Sequence, residues 1–382
     1  MCQPKRAIVF WAVFVAVILL AGGAGYYAAV NIERIKSFIS PLPPPKLIIV
    51  DESKGEKGLL SVFIGGDTLL GDAAKKTLEK FGYEYPFAEI GEIIEKADIG
   101  AANLEAPICD NAPILSKPKQ YKYKMPGKVV PILKEAGFDL FFLANNHLTD
   151  YTHAGLLETI EFLDKADIAA IGAGRNEAEA RRGAIIRKGD IVLGVLNYMS
   201  YNKHYEEDYD HFADENQSGV AVLTPKGVRR DVKALRKEGA KIILASVHWG
   251  SNYAPVDKKQ RREARYMAKA GVDVIVGHGS HDWQEFEMVD GVPVFFSVGN
   301  LAFGTPGRPH FKWGFPVTLY FSAGGLKKAE IHPVVTQNRI AKFKPRLLRG
   351  EDAENALTEF KNRSNFGKFE MGFEGGEGVV KF

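Results

Sequence analysis

The stretch "VDVIVGHGSHDWQ", residues 272–284, ends an apolar run in a glycine and then sets His278 and His281 three residues apart. Imidazoles so placed suit a metal, and they suit an ordinary polar turn as well. What separates the two readings is how other apolar runs end. "LLSVFIG" (59–65) leads into "GDTLLGD" with Asp67, and "ADIGAAN" (97–103) into "NLEAP" with Asn103 and Glu105. "FDLFFLA" (138–144) leads into "NNHLTD", carrying Asn145, Asn146, His147 and Asp150, and "KIILASV" (241–247) into "HWGSNY", led by His248. Taken singly, Asp67 reads as a turn aspartate, Glu105 as a loop-edge charge, the asparagines as turn caps, and His147 and His248 as core histidines. Jointly, those readings require five coincidences at one sheet edge, and ligation requires none.

The residue types set the chemistry. Asp67 and Glu105 are carboxylates able to share two cations, with His248, His278, His281 and the Asn146 amide oxygen filling the shells. Two divalent ions about 3.5–4 Å apart would lower the pKa of a bridging water and clamp a phosphoryl group. Manganese, zinc and iron all suit such ligands, and the number of ions is one or two. His147 would protonate a leaving group, its ring oriented by Asp150. Asn103, Asn145 and Asn300, the last in "SVGNLAFG", are candidate substrate contacts.

These residues need strands to carry them. Besides the runs above, "IVLGVLN" (191–197), "VDVIVG" (272–277), "VPVFFSV" (292–298) and "PVTLYFS" (316–322) read as strands. Residues 86–96, 128–136, 153–165, 226–238 and 257–270 read as amphipathic helices. Strands alternating with helices indicate an α/β domain over residues 59–340. If the strands are mostly parallel, their carboxyl ends share one edge, where open α/β sheets hold their sites. The aromatic and acidic segment "YNKHYEEDYDHF" (201–212) reads as an exposed loop or a lid, and "RREAR" (261–265) as a solvated helix face. Residues 341–382, charged and glycine-rich at their end, read as a weakly structured tail.

"GDTLLGD", "NLEAP", "LANNHLTDY", "HWGSNY", "GHGSHDWQ" and "FFSVGNLAFG" occur in the order seen in the CapA (poly-γ-glutamate capsule biosynthesis) family, which resembles the calcineurin-like metallophosphoesterases. The resemblance spans about residues 60–304. It implies a four-layer αββα metallophosphoesterase-like sandwich. It also implies Asp67 as the first metal carboxylate, Glu105 as the bridging one, Asn146 and His147 as ligand and general acid, His248 as a further ligand, and His278 and His281 as the last pair. The chain departs from the wider phosphoesterases in two places. Leu69 stands where a first-motif histidine is usual, which leaves one metal short of a ligand, and Glu105 stands where those enzymes use aspartate.

The N-terminus places the domain. Residues 7–30, "AIVFWAVFVAVILLAGGAGYYAAV", carry no charge and are long enough to cross a bilayer as a tilted helix. Lys5 and Arg6 before it favour a cytoplasmic tail of residues 1–6; the competing reading is a cleaved signal peptide. Residues 31–58, with "SPLPPPK" and "DESKGEKG", read as a linker. The expectation is a single-pass cell-membrane protein whose C-terminal domain is extracytoplasmic. Fifty Lys+Arg against 47 Asp+Glu give a net charge of +3, which offers nothing to a nucleic acid. Cys2 and Cys109 form no disulfide framework. The function expected is synthesis or export of poly-γ-glutamate or a similar anionic polymer, with a metal-dependent hydrolase site. The alternative is a non-catalytic subunit that binds metal and polymer beside a membrane-bound synthase, since no GxxxxGK[ST] loop is present.

Overall fold

Apolar runs broken by short polar segments fold here into two large sheets laid face to face. The structure, a computed structural model, describes residues 42–51, 54–306 and 312–382. One sheet runs in the order Lys46–Ile49, Ala184–Lys188, Ile191–Ser200, Ile242–His248, Val274–His278, Val292–Val298, Trp283–Val289. The other runs Met371–Glu374, Glu377–Lys381, Gly325–Ile331, Val317–Ser322, Leu60–Leu69, Ile99–Leu104, Phe138–Phe142, Ala169–Ile171. The middle of each sheet is parallel. All eight runs expected as strands are therefore strands, and seven of them lie in these parallel portions.

Three apolar cores follow from side-chain alternation along buried strands. Val62, Ile64, Ala101 and Leu140 of one sheet meet Leu193, Val195, Leu244 and Val276 of the other between the sheets. Phe63, Ala102 and Phe141 point the opposite way, onto helices Val129–Glu135 and Thr152–Lys165. Val192, Ile243 and Ile275 pack under helices Pro225–Lys237 and Lys258–Ala270. The result is an α/β sandwich with helices outside both sheets. At the end away from the candidate site, Asp98 bonds Ser61 of one sheet and Lys188 of the other, at 2.8–2.9 and 2.6 Å.

Several boundaries differ from those expected. The span at residues 7–30, the tail before it and residues 31–41 lie outside the described residues; among the described residues no helix is long and apolar enough to cross a membrane. The linker at 31–58 contains a strand, Lys46–Ile49, parallel to Ala184–Lys188, because Ile48 packs inward against the intersheet core while Leu47 and Ile49 face solvent. The helix expected over 86–96 is a single 3-10 turn, Tyr85–Phe87, and a short helix, Gly91–Glu95, with Gly91 at the break. The tail at 341–382 is not weakly structured. Helix Gly350–Arg363 buries Ala353, Ala356, Leu357 and Phe360 at helical spacing, and strand Glu377–Lys381 pairs with Gly325–Ile331. The compact unit accordingly runs from Leu42 to Phe382.

Phe360 sits on Trp283 and Phe315 at ring-centroid separations of 5.5 and 4.9 Å. Phe360→Ala is expected to cost about 3–5 kcal/mol in a denaturant melt, as core truncations of aromatics do. A loss below about 1 kcal/mol would mean that the C-terminal helix is not part of the core.

Candidate metal centre

Register carries the polar residues to one place. His248 and His278 are direct neighbours at the ends of adjacent parallel strands. In the other sheet Asp67 pairs with Asn103 on one side and Asn300 on the other. Asp67, Glu105 and His281 offer ligand atoms that all lie within 4.8 Å of one another, and all three are buried. His281 Nδ1 is 3.3 Å from Asp67 Oδ2 and its Nε2 is 3.6 Å from Glu105 Oε1. His248 Nε2 is 3.8 Å from Glu105 Oε1, and His278 Nδ1 is 3.9 Å from Asp67 Oδ1.

The donor set fits a cation. Buried polar atoms normally have partners. Here Glu105 Oε1, Asn146 Oδ1 and both ring nitrogens of His278 have none. His278 is 1% exposed, so solvent does not replace the missing partners. Each such atom left unsatisfied costs about 1–3 kcal/mol. The Asn146 amide nitrogen is already committed to the Tyr205 hydroxyl at 3.1 Å, which leaves its oxygen as the atom without a partner.

Charge in the centre is uneven. Burial alone would raise Asp67, but its hydrogen bond to His281 and the neighbouring imidazoles hold it at about 2. Burial and the charge of Asp67 push Glu105 well above the carboxylate range. Burial would lower His281, but the two carboxylates lift it to about 9. Burial takes His248 to about 3 and His278 to about 4, so both rings are neutral, the form a ligand requires. Without a cation, the Asp67–His281 ion pair is what stabilises the cluster.

Not every expected contact is what the spacing suggested. Asn103 and Asn145 are fully buried and reach no substrate. Asn103 Nδ2 donates to Asp67 Oδ1 at 2.8 Å and Glu105 Oε2 at 3.3 Å. Asn145 donates to the Leu104 carbonyl at 2.8 Å, and its Oδ1 accepts from the His147 N–H at 3.1 Å. Asn300 Oδ1 accepts from His281 Nδ1 at 3.1 Å. Asn103 and Asn300 thus hold Asp67, Glu105 and His281, and Asn145 holds the backbone of His147, because each lies on or beside a ladder strand. Leu69 packs into an apolar core with Leu70 and Leu78 and supplies no ligand.

His147 and Asp150 come together as expected: His147 Nδ1 donates to Asp150 Oδ2 at 2.6 Å. The structure gives roles to Lys119, which the sequence did not single out, and to His211, noted there only as part of the 201–212 segment. Lys119 is an ion-pair partner of Asp150 and donates to the Asn146 carbonyl. Burial, then the charge of Lys119, lower His147 to about 4 despite Asp150. His211 is buried beneath the same loop. Its Nε2 donates to the Asn145 carbonyl and its Nδ1 accepts from Thr149, both at 2.7 Å. Residues 203–209 form a helix, and Tyr205 touches Asn146, so the 201–212 segment is packed on the centre and is no free loop. The lysine- and tyrosine-rich stretch "SKPKQYKYK" (116–124) is the sequence context of Lys119.

Two expectations follow. Ligation through His281 requires its neutral form, and His281 keeps its proton below about 9. Apparent affinity for manganese or zinc should therefore tighten about tenfold per pH unit from pH 6 toward 9, with proton release seen by calorimetry in buffers of different ionisation enthalpy. A pH-independent affinity would rule out His281 as a ligand. Gly279 has φ 95° and donates its N–H to Asp67, and a Cβ there would stand 2.6 Å from the His248 ring. Gly279→Ala should displace that ring and lower metal content, measured by mass spectrometry, while the circular dichroism spectrum stays that of the parent.

Comparison with known proteins adds kinship to this geometry. Residues 61–305 match the family model described as bacterial capsule synthesis protein PGA_cap. A capsule biosynthesis protein CapA of Bacillus anthracis is 26% identical over 301 residues, covering 76% of this chain and 68% of its own. A PGA biosynthesis protein CapA of Bacillus subtilis is 26% identical over 279 residues, 72% of this chain and 71% of its own. A probable polyglutamine synthesis accessory protein of Mycobacterium tuberculosis is 26% identical over 293 residues, 65% and 75% respectively.

Proposed function

The chain belongs to the bacterial capsule synthesis family PGA_cap, and from that premise we propose that it serves the making or export of poly-γ-glutamate or a similar anionic surface polymer through a metal-dependent hydrolytic site. The observation that carries the hydrolytic part is the set of buried, partnerless ligand atoms on Glu105, Asn146 and His278 around Asp67 and His281. In this reading the sandwich is of the metallophosphoesterase type, residues 7–30 anchor it in the membrane, the domain works outside the cytoplasm, and a membrane-bound synthase is its partner.

Asp67, Glu105, Asn146, His248, His278 and His281 would hold one or two divalent cations. When bound, these supply Lewis acidity to an attacking water and to the substrate's phosphoryl or acyl oxygen. The chain's own groups do the rest. Asn103 holds the two carboxylates in register, and Asn300 fixes the His281 ring. Asp150, fixed by Lys119 and by the Tyr123 N–H at 2.7 Å, accepts from His147 Nδ1 and so leaves Nε2 of the neutral ring to take the proton given up by the attacking water and return it to the leaving group. Substrate enters by a cleft of about 360 Å³ lined by Asn146, His248 and Tyr205. A binding subunit without turnover is the second reading; Leu69 in place of a ligand favours it.

The test is metal content and turnover of the full chain purified in detergent. One or two ions per chain are expected, falling in Asp67→Ala and His281→Ala. His147→Ala should keep its metal and lose phosphoester or amide hydrolysis by about 10²–10⁴-fold. Metal-dependent binding of the polymer with no turnover in any form would select the second reading, and absence of metal after reconstitution would remove both.

A further inference from the structure

The cleft beside the centre has a second wall, made by the start of helix Lys258–Ala270, and that wall has an unmet demand. Of the described side chains lining the cleft, two have a buried oxygen without a partner: Asn146 Oδ1 and Glu263 Oε2. Glu263 is 6% exposed. Its other oxygen accepts from Ser200 Oγ at 2.9 Å, which fixes the carboxylate in place. Its neighbours do not supply the missing donor. Gln260 spends its amide on Gln284 at 2.8 Å and on the helix cap at Asp257. Lys259 donates to the Tyr201 carbonyl and stands 3.8 Å from the oxygen already bonded to Ser200.

We propose that Glu263 is a substrate-recognition residue, and that the cleft takes a substrate carrying a free primary amine on the side away from the metal centre. This rests on the hydrolytic-site reading above and deepens it. A buried carboxylate oxygen asks for a donor, and a charged donor satisfies it best. Asp257 and Glu263 against Lys259 give the lining of this wall more carboxylates than cations, which suits an ammonium. Burial raises the Glu263 carboxyl above its ordinary value in spite of Lys259, and a seated ammonium would reverse that direction. The two ends of the cleft thus make opposite demands: a phosphoryl or acyl oxygen at the ligand cluster and a cation at Glu263. An aminoacyl or peptide-like molecule with a free amino end meets both.

The experiment is calorimetric titration of the full chain with a γ-linked glutamate dipeptide and with its N-acetyl derivative, with and without manganese. In the parent, N-acetylation is expected to weaken binding about tenfold or more. In Glu263→Gln, which keeps a partner for Ser200, and in Glu263→Ala, the two ligands should bind alike while manganese content stays that of the parent. Equal affinities in the parent, or no binding of either ligand, overturn the proposal. Failure to bind manganese strikes the metal reading alone, because the Glu263-dependent preference for the free amine is expected without the metal as well.

Discussion

Two buried carboxylates facing one another are the constraint around which the rest of the structure is arranged. Ligand atoms of Asp67 and Glu105 lie within 4.8 Å with no solvent between them and the protein. At an effective dielectric constant near 20, two unit charges at that distance repel by about 3–4 kcal/mol, before the cost of desolvating either. The chain offsets this with the protons held on Glu105 and on His281 and with the amide of Asn103 donated to both carboxyl groups. Neither satisfies Glu105 Oε1 or the two nitrogens of His278. A divalent cation would answer Glu105 Oε1 and one ring nitrogen of His278 at once, which hydrogen bonds within the chain do not.

Holding like charges together needs a rigid frame, and parallel sheets provide it. Asp67 is tied on both sides, to Asn103 and to Asn300, while His248 and His278 are locked as neighbours in the facing sheet. His281 adopts φ 56°, a left-handed conformation that costs a non-glycine residue about 1–2 kcal/mol. Gly279 makes the preceding turn by coming too close to His248 for any side chain. Strain of this kind persists only where the surroundings over-determine it. The intersheet core below, with the Asp98–Ser61–Lys188 clamp at its far end, is what does so.

The loop after Phe138–Phe142 is built on the same principle at a second level. His211, neutral because burial takes it to about 3, braces the loop from below. Lys119 arrives from a separate loop to balance Asp150. Burial would raise Asp150, but His147 and Lys119 hold it below its ordinary value, so it stays an acceptor for the His147 ring. Tyr123 packs against His147 at a centroid separation of 4.4 Å and meets Phe303, which in turn lies 4.6 Å from His281. One aromatic wall thus spans the His147–Asp150 pair and the cluster of Asp67, Glu105 and His281.

What the sequence determined by itself was local. Short apolar runs located the central strands, polar residues just past them marked one sheet edge, and apolar residues at helical spacing located most of the longer helices, because these signals are read within a few residues of chain. The same periodicity was present in "EDAENALTEFKNR", where Ala353, Ala356, Leu357 and Phe360 share a face, but charge and the later glycines obscured it. Tertiary structure alone decided roles. Asn103, Asn145 and Asn300 are the same residue type as Asn146, and only the direction of each amide across the ladder makes the first three braces and leaves the last with a free oxygen. Lys119 with Asp150, and Glu263 with Ser200, join segments 31 and 63 residues apart. No local rule reaches that far, because such pairs are set by sheet register and by which face of a helix the core claims.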